Sequence, residues 1–142
     1  MKLVDANVLL HAVNGTAFQH RRAKAWLDEA LSAHEAVALP WVSLLAFIRI
    51  GTQRTVFPSP LTISKAFEVV DAWLGCPVAV TPEPDSRHPV RMAELLTAAG
   101  STGGNLVNDA HLAALALQYK ATVVTFDNDF GRFPGVRWEA PA

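Results

Sequence analysis

The chain has 142 residues, the usual size of one domain, which leaves little room for two. Apolar residues make up 51% and charged ones 18%, which excludes a disordered or solvating chain. A net charge of −1 excludes a nucleic-acid binder that works through its overall field, so a polyanion would have to be held by local basic groups and bound metal.

Taken in chain order, Lys2-Leu3-Val4 reads as a first strand that ends at Asp5, and Asn7 to Ala12 as a short helix. Met1-Lys2 opens onto an apolar run that Asp5 interrupts, so no secretory signal is read there. Phe18 to Leu31 has helical spacing, with Phe18, Ala23, Trp26, Leu27, Ala30 and Leu31 on one side and His20, Arg21, Arg22 and Lys24 on the other. Ala36 to Leu39 reads as a second buried strand. A helix follows Pro40, in which Trp41, Leu44, Leu45, Phe47, Ile48 and Gly51 share one broad face. Thr55 to Pro60 is a loop, and Leu61 to Leu74 is a third amphipathic helix ended by Gly75. Val78 to Val80 is a strand candidate, and Arg87 to Ala99 is a helix stopped by Gly100. Ser101 to Gly104 is a glycine-rich turn, and Asn105 to Tyr119 is a strongly apolar helix. Ala121 to Phe126, rich in valine and threonine, is the clearest strand, and Val136 to Trp138 is a short last one. Strands alternating with helices predict an α/β domain over 1–142, with a mostly parallel sheet of four to five strands covered on both faces. No run approaches the roughly 20 apolar residues of a membrane span. The single cysteine, Cys76, has neither a disulfide partner nor a ligand spacing, which fits a reducing cytoplasm.

Three aspartates stand out by position. Asp5 ends the first strand and Asp127 follows the last strong one, and ligands of open α/β sheets collect at carboxyl ends of strands. Asp109 lies in a helix that is apolar over most of its circumference, where an ionised carboxylate is costly without a partner. Each also has an ordinary reading: Asp5 as a helix cap, Asp127 as a turn residue, Asp109 as a solvated charge near a helix N-terminus. Several carboxylates without cysteine or paired histidine suit a hard cation, Mg²⁺ or Mn²⁺. The five histidines show no HxH or HExxH spacing, and Gly103-Gly104 lacks the Lys-Ser/Thr of a phosphate loop.

Val4-Asp5-Ala6-Asn7-Val8-Leu9-Leu10 resembles the opening of a PIN domain, a strand ending in Asp-x-Asn. Asn108-Asp109-Ala110-His111 resembles that family's third acidic motif, and Thr125-Phe126-Asp127-Asn128-Asp129-Phe130 its closing Thr-x-Asp-x-Asp-Phe motif. Order, spacing and length agree over essentially the whole chain. Leu39-Pro40-Trp41 to Arg49 and the ending Gly131 to Gly135 are most similar to the VapC toxins of bacterial toxin–antitoxin modules. The resemblance implies an αβα sandwich, a metal-dependent endoribonuclease acting on tRNA or rRNA, a homodimer and a small antitoxin partner. Asp5, Asp109 and Asp127 would then be catalytic, metal-binding acids, with Mg²⁺ as cofactor and Mn²⁺ as substitute. Asn7 would steady Asp5 or a water on the metal, and Asp129 would share the role of Asp127. Arg21, Arg22, Arg49 and Arg54 would hold the RNA backbone.

One position departs from the family. The helix after the second strand usually carries Glu-Phe-x-Arg, and here the glutamate position is Ala46, in Leu45-Ala46-Phe47-Ile48-Arg49. Glu83 and Asp85 are candidate substitutes. The alternative is a catalytically impaired PIN domain that binds RNA or a partner without cleavage. Asp5-Ala6-Asn7 is also similar to the nucleophile motif of haloacid-dehalogenase-type phosphatases. Those carry a second aspartate where Asn7 stands, together with a downstream lysine that has no counterpart here.

Overall fold

A computed structural model describes every residue except Val56, Thr102 and Asn105. The strands are β1 (Lys2–Val4), β2 (Val37–Ala38), β3 (Ala79–Val80), β4 (Thr122–Val124) and β5 (Trp138–Glu139). The helices are α1 (Ala6–Val13), α2 (His20–Ser32), α3 (Trp41–Gly51), α4 (Ile63–Leu74), α5 (His88–Ala98) and α6 (Leu106–Tyr119), with a short 3₁₀ turn at Asn128–Arg132. The five strands lie in the order β3-β2-β1-β4-β5, and every pairing is parallel. The α/β reading, the parallel sheet and the upper count of strands agree with this architecture. The expected helix start at Asn105 lies outside the described residues, as do Val56 of the expected loop and Thr102 of the glycine-rich turn.

Alternation along the strands sends neighbouring side chains to opposite faces, which is why β1, β2 and β4 each feed two cores. Leu3, Ala38 and Val123 pack with α5 and α6, whereas Val4, Val37 and Val124 pack with α1, α2 and α3. Helix α6 presents Ala110, Ala113, Ala114 and Ala116 to the first core, and these small residues let it lie close against the sheet. On the other face Phe47 is fully buried, its ring 4.9 Å from that of Trp73.

Two expected faces differ in detail. Phe18 does not belong to the buried side of α2: it precedes the helix and is 96% exposed. The Asn14 side chain accepts from the Thr16 amide and hydroxyl, and the Ala17 amide donates to the Asn14 carbonyl. The resulting turn delays the helix to His20. On α3, Leu44, Phe47 and Gly51 are buried, while Leu45 is 59% exposed and Trp41 42% exposed. A helix of 3.6 residues per turn cannot bury Leu44 and Leu45 equally against one flat sheet.

Among the described residues, no helix is long and apolar enough to cross a membrane.

Truncation of Phe47 to alanine should cost about 3–5 kcal/mol of stability in urea denaturation, since the transfer loss and the cavity both fall in a closed core. Phe18→Ala should change it by no more than about 0.5 kcal/mol.

Candidate metal centre

The strand order places a topological switch between β1 and β4, whose connections leave in opposite directions along the sheet. Crevices at such points are the usual ligand sites of parallel sheets. Asp5 follows β1 and Thr125 to Asp127 follow β4, and the Asp5 amide donates to the Val124 carbonyl at 3.0 Å. The two chain ends thus leave the sheet side by side.

A dense set of hydrogen bonds holds them. Asp5 caps α1, one carboxylate oxygen accepting from the Ala6 amide at 2.7 Å. Its other oxygen accepts from the Thr125 hydroxyl at 2.8 Å and from Asn7 Nδ2 at 3.2 Å. Asn7 Nδ2 also donates to the Thr125 hydroxyl, while Asn7 Oδ1 accepts from the Phe126 amide at 3.1 Å. The Thr125 hydroxyl, fully buried, accepts from the Asp127 amide at 3.0 Å. Asp127 Oδ1 in turn caps the 3₁₀ turn through the Asp129 amide. The capping readings of Asp5 and the turn reading of Asp127 are therefore correct as far as they go, and each residue retains carboxylate oxygen lone pairs for other work.

The acids converge. One carboxylate oxygen from each of Asp109, Asp127 and Asp129 lies within 4.8 Å of the other two. Asp109 is delivered by the first turn of α6 and is half-buried. Burial pushes its carboxyl up to about 7, and repulsion from Asp5, Asp127 and Asp129 adds to that shift. Burial likewise raises Asp5, against the Thr125 and Ala6 hydrogen bonds that favour its ionised form. A divalent cation offsets this repulsion directly, and an all-oxygen donor set suits a hard ion. The residues present therefore fit a Mg²⁺- or Mn²⁺-sized centre. Asp5 stands beside the converging three, its oxygens committed to Thr125, Asn7 and Ala6.

A crevice lined by Asp5, Ser43, Ala46, Asn108 and Asp109 opens next to the cluster. Ala46 therefore occupies its wall, the place where the family's glutamate would reach in. Neither expected substitute is near. The Glu83 carbonyl accepts from Gln118 Nε2 and the Tyr119 hydroxyl, at the far end of α6 from Asp109. Asp85 is paired with Arg91, and its amide donates to Oε1 of the same Gln118. Gln118 lies nine positions along the helix from Asp109, about 14 Å of rise, so neither acid replaces the missing one.

Of the four arginines expected to hold RNA, Arg49 borders an open groove with Val42, Ala46 and Asn108, continuous with the crevice. Arg21 and Arg54 are exposed. The Arg22 guanidinium is engaged within the chain, by the Pro141 carbonyl and Gln19. Two residues were missed as site parts. Thr125 opens the Thr125 to Phe130 motif, and a threonine closing a strand just ahead of an aspartate is the signal for it. Ser43 donates to the Val4 carbonyl at 2.8 Å, tying α3 to the last residue of β1; nothing in its local sequence marks this.

A model of the PIN-domain family matches residues 2–136, and the chain belongs to that family. Its relatives place it among the VapC proteins. It is 52% identical to Ribonuclease VapC37 of Mycobacterium tuberculosis (strain ATCC 25618 / H37Rv) over 141 residues, which cover 99% of this chain and 97% of the relative. It is 36% identical to Ribonuclease VapC25 of the same strain, with 99% of each covered. Among solved structures, the chain resembles one in the VapBC2 assembly of Rickettsia felis bound to a promoter DNA fragment, with a TM-score of 0.70 and 20% identity. That match covers 98% of this chain and 97% of the other. It also resembles Mycobacterium tuberculosis VapC20, a Sarcin-Ricin loop cleaving toxin, with a TM-score of 0.69 and 18% identity over 96% of this chain and 99% of the other. These last two likenesses are of fold.

The sign of the Asp109 shift sets a pH signature. In the metal-free protein the folded carboxyl keeps its proton up to about 7, while the unfolded one has lost it above its ordinary value of 3.8. Its stabilising contribution is thus complete below that ordinary value and lost as the pH rises through about 7. In urea denaturation without metal, Asp109→Asn should gain on the parent chain as the pH rises from 4.5 to 7.5, and Mg²⁺ should restore the parent. A constant gap across that range would mean that Asp109 is not held protonated.

Proposed function

We propose that this chain is a Mg²⁺-dependent endoribonuclease, the toxin of a toxin–antitoxin module, with Mn²⁺ able to replace Mg²⁺. The observation that carries this reading is the meeting of Asp109, Asp127 and Asp129 at the β1–β4 switch point, beside Asp5. It is supported by relatives named ribonucleases at 36–52% identity over nearly the full chain. The cation would be held by Asp109, Asp127 and Asp129 with Asp5 alongside. When bound it supplies charge for the scissile phosphate and acidifies a water.

The protein's own residues do the rest. Thr125 and Asn7 hold Asp5 in one orientation and keep the Phe126–Asp127 backbone against it. Ser43 fixes the end of β1. We propose Arg49, at the mouth of the crevice, and the exposed Arg21 and Arg54 as contacts to the RNA backbone. Positioning of this kind suits recognition of RNA by shape and by exposed single-stranded loops. The substrate is proposed as tRNA or rRNA, in line with the Sarcin-Ricin loop cleavage named for VapC20. The assemblies named VapBC support an antitoxin as partner. Exposed Ile63 and Phe67 on α4 support association with a second copy. The site of action is proposed as the cytoplasm, where RNA and a free Cys76 are both at home.

A second reading is favoured by Ala46, which leaves the α3 wall of the crevice without a carboxylate. In it the chain binds RNA or a partner and does not cut.

The test is to incubate tRNA and rRNA with the protein in Mg²⁺ or EDTA, beside Asp109→Asn. Discrete cleavage should require the metal and fall at least about a thousandfold in the variant, because several kcal/mol of charge stabilisation are at stake. No cleavage by the parent, with cleavage gained by Ala46→Glu, would establish the impaired reading.

A further inference from the structure

The loop after β4 that carries Asp127 is gripped from outside the acidic cluster as well as from within. The Thr125 amide donates to the Glu139 carbonyl at 3.0 Å, continuing the β4–β5 ladder past the last paired residue. Two residues further on, the buried Pro141 carbonyl accepts from Arg22 Nε at 3.1 Å and from Nη2 at 2.5 Å. The same guanidinium lies over the Phe126 ring, 5.7 Å from its centre, and the His11 ring meets that Phe edge-on at 5.4 Å. The contacts form a closed circuit: Arg22 to Pro141, along the chain to Glu139, across to Thr125, and through Phe126 back to Arg22.

Asp127 hangs from this circuit. It is the next residue after Phe126, and the Phe126 amide is the one that Asn7 holds. Planar, five-donor arginine suits such a node, where two N–H groups of one fork share one carbonyl while the charge stays within cation–π range of an aromatic ring; a lysine ammonium lacks that fixed fork. Arg22 is exposed over part of its length, but its donors point inward, to Pro141 and Gln19.

We infer that Arg22 is a positioning residue for the metal centre, clamping the 139–141 segment and Phe126 so that Asp127 is presented to the cation in a fixed orientation. It acts through Phe126 and the tail and makes no contact with the RNA phosphates. The inference rests on the reading of Asp127 as a metal ligand. Residues that orient ligands in this way typically change metal affinity about 10–100-fold when replaced.

The full chain would be compared with its Arg22→Gln, Arg22→Lys and Phe126→Leu variants, with circular dichroism as the check of folding. Mn²⁺ binding is measured by calorimetry without RNA, and cleavage kinetics are taken over a range of salt. In Arg22→Gln, Mn²⁺ affinity should fall about tenfold and kcat with it, while KM and the salt slope stay as in the parent. Arg22→Lys, which keeps the charge and loses the fork, should fall nearly as far. Phe126→Leu, which touches no phosphate, should reproduce the loss.

Unchanged Mn²⁺ affinity with a raised KM and a salt slope shallower by about one phosphate contact would overturn the inference and make Arg22 an RNA contact. Unchanged behaviour in all three variants would also overturn it. Asp109→Asn serves as the reference: if it binds Mn²⁺ as tightly as the parent, the metal centre itself is misassigned, whatever Arg22 does.

Discussion

The parallel pairing of β1 with β4 is the contact on which the meeting of the acidic side chains depends. Lys2, Leu3 and Val4 lie against Thr122, Val123 and Val124 in register, so the residues that follow, Asp5 and Thr125, leave the sheet at the same height. A shift of one residue would turn every side chain of β1 to the other core, which Leu3 and Val4, both fully buried, make costly. Hydrophobic burial on two faces therefore sets the register. The register in turn sets the 2.8 Å contact between Thr125 and Asp5. The fold thus brings anions together, at a cost that it meets with core packing.

That cost is visible in Asp109, whose carboxyl is pushed up to about 7 by burial first and by its three acidic neighbours second. A site relaxed for stability would spread these charges or place a lysine among them. None of the described residues lining the crevice is basic. The arrangement is intelligible as one prepared for a cation, with the stability of the metal-free chain giving way to affinity.

Much of this was legible along the chain. The alternation of strand and helix predicts the parallel sheet, and Asp5 and Asp127 stand out because ligands of open α/β sheets collect at the carboxyl ends of strands. The strand order was not legible: periodicity describes one strand at a time and says nothing of its neighbour. For the same reason the Thr125 hydroxyl, which joins residues 120 apart in sequence, shows its role only when β1 and β4 meet. Glu83 and Asp85 were attractive on composition alone, and the anchoring of their loop to Gln118 and Tyr119 puts them at the wrong end of α6. Phe18 and Leu45 mark the limit of helical patterning, which ranks residues by type and cannot see a turn delay a helix or a flat sheet cover only part of one.

Ala46 has a meaning for how such a chain can change over generations. It sits half-exposed on the wall of the crevice, on the side of α3 away from the buried Phe47 and Leu44. Alanine is the best helix former, so losing an acid there slightly favours α3, by a few tenths of a kcal/mol at most. Selection for a folded, soluble protein is therefore blind to that position, and only selection for catalysis watches it. A lineage freed from the need to cut RNA can drift at residue 46 without unfolding, and a single codon change returns the acid to a scaffold that has kept room for it.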